Sequence, residues 1–118
     1  MDDGRPIFVQ IAEQLESQIV DGSMREETQV PSINDLAAFH RINPATALKG
    51  VNLLVDAGIL YKRRGIGMFV AEGARDRLVA ARTNAFQDTY VRPLVAQARA
   101  LGITPEQLAQ MIGREAGK

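Results

Sequence analysis

The amino-acid sequence predicts a mostly α-helical protein with one small β-hairpin. Three observations lead to this prediction. Apolar residues recur at three- and four-residue intervals along most of the chain, one short segment alternates apolar and polar residues, and proline, glycine and capping residues mark the helix ends. At 118 residues the chain has the size of one ordinary domain, or of a small domain with an appendage.

The first predicted helix covers residues 6–21, PIFVQIAEQLESQIVD. Pro6 suits its first turn and Gly22 its C-terminal cap. The polar segment that follows ends in Gln29–Val30, a candidate short strand. The apolar stripe that defines the helix consists of residues spaced four apart, namely Ile7, Ile11, Leu15 and Ile19.

Two further helices are predicted at residues 33–39 and 44–57. Ser32 is the expected N-cap of the first, with Asp35 three residues later, and Asn43 followed by Pro44 suits the start of the second. A short helix, a tight turn and a longer helix form the layout of a helix-turn-helix, whose second helix can lie in a DNA major groove. A plain helical hairpin has the same layout. The second helix buries one face and leaves polar residues on another, namely Thr46, Lys49 and Asn52.

The segment GILYKRRGIGMFV predicts a β-hairpin with strands at Ile59–Lys62 and Met68–Val70. We expect Ile59 and Tyr61, then Met68 and Val70, to alternate as in a half-buried hairpin. The turn of this hairpin, residues 62–67, is the predicted wing. It contains Lys62, Arg63 and Arg64, which can reach DNA phosphates or the minor groove from there. A nucleotide-phosphate loop at Gly65–Gly67 is not supported, because these residues do not belong to a unit of strand, glycine loop and helix and the full glycine motif is absent.

Charge is unevenly distributed, although 14 Lys and Arg residues balance 14 Asp and Glu residues. Residues 1–38 contain two cations and eight carboxylates, whereas residues 39–70 contain five cations and a single carboxylate, Asp56. Such clustering suits a polyanionic partner, although a charge run can also be only a solvated surface. The basic segment coincides with the second helix of the predicted helix-turn-helix and the wing, which favours double-stranded DNA as the partner.

Residues 72–118 are predicted to form a helical dimerisation region after a DNA-binding domain at residues 1–71. A helix over residues 74–100 is expected to bend at Pro93 and to end at Gly102, and Thr104 opens a last helix at residues 105–113. Two helices cannot enclose their apolar stripe alone, so the stripe packs either on the first domain or on a second copy. We expect a homodimer, with an interface formed by Leu78, Phe86, Tyr90, Leu94 and Leu101.

The segments PIFVQIAEQLESQIVDG, VPSINDLA, NPATA and LLVDAGILYKRRGIGMFV occur in an order and spacing that resemble the GntR family of bacterial transcription regulators. The resemblance covers about residues 5–70. It implies a winged helix-turn-helix that binds DNA. The short remainder resembles the YtrA-type subfamily, which has a small helical C-terminal region in place of a large effector-binding domain. That resemblance also implies dimerisation through this region.

The resemblance also assigns roles to individual positions. It implies that Ser32 caps the second helix, that Thr46 approaches phosphate or base, and that Arg64 and Gly65 form the wing tip. Asn34 and Leu48 stand where the family commonly has arginines, and Pro44 replaces a third common arginine. The operator sequence is therefore expected to differ from the operators of family members that have these arginines. With the basic residues, the predicted DNA-binding set comprises Ser32, Asn34, Arg41, Asn43, Ala45, Thr46, Leu48, Lys49, Asn52, Lys62, Arg63, Arg64 and Gly65.

Other function classes find little support. The chain has no cysteine, and its single histidine, His40, has no partner at catalytic or metal-ligand spacing, so neither an enzyme nor a metal or cofactor site is expected. No apolar run is long enough to span a bilayer and the N-terminal residues do not resemble a secretory signal, which predicts a cytoplasmic protein.

We therefore predict a homodimeric bacterial repressor that binds a palindromic operator. The alternative is a winged-helix module that binds protein and has no specific DNA binding. If a small-molecule effector exists, it is expected between the subunits near Phe86, Tyr90 and Leu94, although a plain interface core is the favoured interpretation of these residues.

Overall fold

The computed structural model describes residues 4–118, and residues 1–3, where the acidic N-terminal segment begins, lie outside it. Helices and strands follow one another in the predicted order, and confirm a mostly helical fold with one hairpin. The elements are α1 (Ile7–Val20), α2 (Ile33–His40), α3 (Pro44–Asp56), β1 (Leu60–Arg63), β2 (Gly67–Val70), α4 (Ala74–Phe86), a π-helical turn (Gln87–Val91), α5 (Arg92–Ala100) and α6 (Pro105–Ala116).

Capping residues set the starts of α2 and α3 as predicted. The Ser32 hydroxyl accepts a hydrogen bond from the Asp35 amide at the start of α2, and the Asn43 side chain accepts one from the Ala45 amide at the start of α3. Each bond satisfies an amide that has no partner within the first turn of its helix. Because such signals are local, the bounds of α1, α2 and α3 differ from prediction by no more than one residue at each end.

The hairpin differs in detail from its prediction. Strand β1 begins one residue later than expected and pairs antiparallel with β2, with Leu60 opposite Val70 and Tyr61 opposite Phe69. Leu60 and Val70 are buried, but so is Phe69 on the opposite face, whereas Tyr61 is half-buried. The prediction that the hairpin buries side chains on one face only is therefore wrong. Phe69 is buried on the other face, because Tyr61 and Arg63 cover its ring. The candidate strand at Gln29 is an isolated bridge to Phe69.

The chain divides into two compact units, the first ending at Val79 and the second running from Ala80 to Lys118. The first unit contains a single apolar core built by α1, α2, α3, the hairpin and the beginning of α4. Within it α3 packs against α1, α2 and β1. The largest fully buried side chains of this core are Ile11, Ile19, Val51, Leu60 and Val70.

Gly50 marks the closest approach of α3 to α1. A Cβ at this position would lie 2.7 Å from the backbone carbonyl oxygen of Phe8 and 3.2 Å from the Ile11 Cβ. Neither helix can yield without moving its backbone, so only glycine fits at residue 50.

We expect Gly50→Ala to lower the free energy of unfolding by about 1–3 kcal/mol through overpacking, despite the higher helix propensity of alanine. Urea denaturation measures this change. The matched control is Gly113→Ala, since Gly113 is helical but a Cβ added to it would meet nothing within 4 Å, and this substitution should be neutral or stabilising. Equal stability of Gly50→Ala and the wild type would contradict the close approach.

The helix predicted over residues 74–100 has an irregular centre. In place of one helix over residues 74–100, α4 and α5 are joined by the π-helical turn Gln87–Val91, which directly precedes Arg92 and Pro93. The wider turn accommodates a proline that has no amide hydrogen and whose ring crowds the preceding carbonyls. The predicted cap Thr104 opens α6 and forms a capping box with Gln107, and the helix continues past the predicted residue 113 to Ala116.

Candidate nucleic-acid interface

Helix α3 presents one outward face formed by residues that the sequence assigns to DNA binding. Its opposite face is buried in the core at Ala47, Gly50, Val51 and Leu54. Thr46 is half-buried at the edge between the two faces. The exposed residues of this helix include four that the sequence assigns to DNA binding, namely Ala45, Leu48, Lys49 and Asn52, and a nucleic acid could contact them.

Lys49 lies against α1 through an aromatic ring. Its Nζ is 4.3 Å from the centre of the Phe8 ring, within the range of a cation–π interaction. The ring restricts the long lysine side chain while leaving it exposed, so the ammonium group is held at the edge of the outward face. The sequence alone does not indicate this role for Phe8, because Phe8 and Lys49 are distant in the chain and meet only when α1 packs on α3.

The turn before α3 and the start of α2 contain the remaining polar candidates. Asn34 is exposed in the first turn of α2, whereas the side-chain oxygens of Ser32 and Asn43 are occupied by their capping bonds. Arg41 is exposed and has a φ of 55°, a left-handed conformation that is uncommon for a residue with a side chain. It caps α2, since its amide donates to the backbone carbonyl of Ala38.

The wing is a tight turn with exposed cations. The Ile66 amide donates to the Arg63 carbonyl at 3.0 Å, and Gly65 between them has a φ of 77°, which glycine adopts without steric cost. Lys62, Arg63, Arg64 and Gly65 are all exposed. The Arg63 guanidinium lies 5.0 Å from the Phe69 ring centre, so this cation is restricted while Arg64 occupies the tip.

Two carboxylates that precede the wing in the chain are hydrogen-bonded rather than free in a solvated loop. Glu27 accepts a hydrogen bond from the Tyr61 hydroxyl at 2.6 Å, which raises the pKa of Tyr61 above its ordinary value. Glu26 accepts bonds from the backbone amides of Gly73 and Arg75, which lower its pKa. Glu26 thereby caps the start of α4, where free amides favour a negative charge.

The first turns of α4 belong to the first unit. Arg75 donates to the Val20 carbonyl at 2.9 Å and Arg77 donates to the Gly58 carbonyl at 2.7 Å, so α4 begins at the ends of α1 and α3. Leu78 completes this attachment, since it is 6% exposed and lies in the core of the unit. The assignment of Leu78 to the dimer stripe, which rests on spacing alone, is therefore wrong.

The other four residues of the predicted dimer stripe are exposed. Phe86 and Tyr90 touch each other with ring centres 5.4 Å apart, and 56% and 63% of their surfaces remain accessible. Leu94 and Leu101 are likewise exposed, and of the described residues in this unit only Ala98 is buried. Much of the apolar surface of the second unit is therefore uncovered within one chain.

Among residues 4–118, no group of three or more His, Cys, Asp or Glu side chains is arranged to hold a metal ion. The helices of these residues include none with the length and apolar character needed to cross a bilayer. His40 is half-buried and contacts the Phe39 ring edge-on at 4.9 Å between ring centres.

A helix-turn-helix followed by a hairpin with a cationic turn defines the class of winged helix-turn-helix proteins. The family model described as bacterial regulatory proteins, gntR family, matches residues 8–70. Because this match covers more than half of the chain, the protein belongs to the GntR family of transcription regulators.

Relatives of similar length include a repressor. The chain is 29% identical to the transcriptional repressor YtrA of Bacillus subtilis over 107 residues, which cover 91% of this chain and 82% of YtrA. It is 30% identical to the uncharacterised regulator YhcF of the same species, over 92% of this chain and 88% of YhcF. The repressor NagR of B. subtilis is 29% identical over 92% of this chain, but the match spans only 46% of NagR.

Solved structures agree with this assignment. A GntR-family regulator from Bacteroides thetaiotaomicron superposes with a TM-score of 0.78 at 29% identity, over 94% of this chain and 96% of that one. The DNA-binding domain of AraR in complex with operator ORX1 superposes with a TM-score of 0.57 at 30% identity, over 60% of this chain and 86% of that one.

Proposed function

We propose that this protein is a transcription repressor that binds a palindromic DNA operator as a homodimer, through α3 and the wing. The observation that supports this most directly is the coincidence of two exposed features in one compact unit. The outward face of α3 is polar and cationic at Lys49 and Asn52, and the following hairpin has three exposed cations at its turn. The related domain of AraR is an operator-binding domain.

The two features are suited to different parts of DNA. An α-helix fits the major groove, where base edges differ between all four base pairs, and Asn52 can read them through its amide. The wing cations are suited to phosphates, which contribute affinity independently of sequence. Specificity is therefore assigned to α3, and the salt-dependent part of the affinity to the wing.

Dimerisation is supported by the uncovered apolar side chains of the second unit. Phe86, Tyr90, Leu94 and Leu101 are exposed within one chain, and large exposed apolar patches mark sites of association. In this proposal residues 1–71 bind DNA, and within residues 72–118 the dimer is held by the part that follows Val79, since Ala74 and Leu78 belong to the core of the first unit. A two-fold dimer matches two half-sites about one DNA turn apart. The protein would act in the cytoplasm, and any effector would bind between the subunits near Phe86, Tyr90 and Leu94.

The specificity assignment predicts the effect of Asn52→Ala. We expect the preference for operator over non-specific duplex to fall by about 1–3 kcal/mol, because one base contact is lost. The salt dependence of binding should remain unchanged, since no phosphate contact is removed. Fluorescence anisotropy with both duplexes at several salt concentrations measures the two quantities.

Asn84→Ala is the matched control, since Asn84 is an exposed helical asparagine outside α3. It should leave both quantities at their wild-type values. A specificity ratio for Asn52→Ala equal to that of the wild type would remove Asn52 from the proposed interface.

A further inference from the structure

The segment before α2 is fixed along the outer edge of β2. The Glu27 amide donates to the Val70 carbonyl at 2.8 Å, the Val70 amide donates to the Thr28 carbonyl at 3.1 Å, and the Val30 amide donates to the Met68 carbonyl at 2.9 Å. These backbone bonds bracket Gln29, which pairs with Phe69. The backbone of Gln29 is therefore held at a defined distance from the turn of the wing.

The Gln29 side chain extends from this position to the wing itself. Its Nε2 donates a hydrogen bond to the backbone carbonyl of Ile66 at 2.9 Å. It passes over Gly67, where an added Cβ would lie only 2.5 Å from the same Nε2. The absence of a side chain at residue 67 thus leaves room for the amide, and Gly67 has a φ of 143°, which a larger residue would rarely adopt.

We propose that Gln29 is a positioning residue for the wing: its amide holds the Ile66 carbonyl so that the turn presents Arg64 in one orientation. A two-stranded hairpin alone is marginally stable, and its tip is free to move. The bond ties the far end of the turn to a segment that is anchored on β2. The inferred consequence for DNA binding rests on the proposed function, whereas the effect on the order of the turn does not.

The first test measures the turn without DNA. Gln29→Met keeps the length of the side chain but removes the donor. We expect the Ile66 amide, which bonds to the Arg63 carbonyl, to exchange its hydrogen about 3- to 10-fold faster, as befits the loss of one ordinary hydrogen bond. Gln14→Ala is the control, because Gln14 is an exposed glutamine on α1, and it should leave the rate unchanged. An unchanged rate in Gln29→Met with a wild-type melting temperature would overturn the positioning role.

The second test connects Gln29 to Arg64. Gln29→Met is expected to weaken DNA binding about 3- to 10-fold in the wild type. In an Arg64→Ala background it should have almost no effect, because the cation that it positions is gone. Equal losses in both backgrounds would show that Gln29 does not act through Arg64. If the wild type bound no DNA, the proposed function would fail, while the exchange rate would still decide whether Gln29 orders the turn.

Discussion

Replacement of Lys62, Arg63 and Arg64 by alanine together is expected to weaken binding to every DNA sequence by about 10- to 100-fold at moderate salt. All three side chains are exposed on the turn, so they are available to phosphates. Each phosphate contact that is lost should flatten the slope of log K against log salt by about one. The preference between sequences should stay near its wild-type value, because the bases are contacted by α3.

A second triple variant separates the position of the charges from their number. Arg25→Ala, Arg114→Ala and Lys118→Ala together remove the same charge from exposed residues outside α3 and the wing. This control should keep most of the affinity and its salt slope. If the wing variant bound DNA at low salt as tightly as the wild type, the role assigned to the wing would be wrong.

Leu78→Ala is expected to lower the free energy of unfolding by about 2–5 kcal/mol, the range for a leucine removed from a packed core. Leu78 is 6% exposed and lies in the core of the first unit, where the vacated volume cannot fill without movement of α4. The loss should be the same at every protein concentration, because it arises within one chain. Urea denaturation at two concentrations measures it.

The double variant Phe86→Ala and Leu94→Ala should weaken the dimer without destabilising the fold of the single subunit. Both residues are exposed in the single chain, so the fold of one subunit should be retained while the dimer dissociates. Sedimentation equilibrium is expected to show monomers for this pair and dimers for Leu78→Ala under conditions in which it is folded. A wild type that is monomeric at tens of micromolar would contradict the dimer, and a loss below about 0.5 kcal/mol in Leu78→Ala would contradict its burial.

Local signals account for the parts of the structure that the sequence predicts correctly. Ser32, Asn43 and Thr104 are recognisable as caps from neighbouring residues, and each makes a capping bond. The hairpin is recognisable from two short apolar runs around a glycine turn. Such signals act within a few residues, which is why they can be seen in the chain alone.

Contacts between distant residues account for what the sequence does not predict. Gln29 and Ile66 are 37 positions apart, and Glu26 reaches amides 47 and 49 positions away. Leu78 has the same helical spacing as Phe86 and Tyr90, so periodicity could not show that it packs into the first unit. The sequence predicts a bend at Pro93. Helix propensities do not distinguish an ordinary bend from the π-helical turn that precedes this proline.

The measurement that tests the central claim most directly is the sequencing of sheared genomic DNA bound by the purified protein at moderate salt. The proposed function predicts enrichment of fragments that share an imperfect palindrome with half-sites about one DNA turn apart. The Asn52→Ala variant should enrich the same palindrome less strongly, with a relaxed preference at the base pair that Asn52 contacts in each half-site. Recovery of no DNA, or of DNA without any shared sequence, would contradict a sequence-specific repressor, and recovery of none would favour a winged-helix module that binds protein.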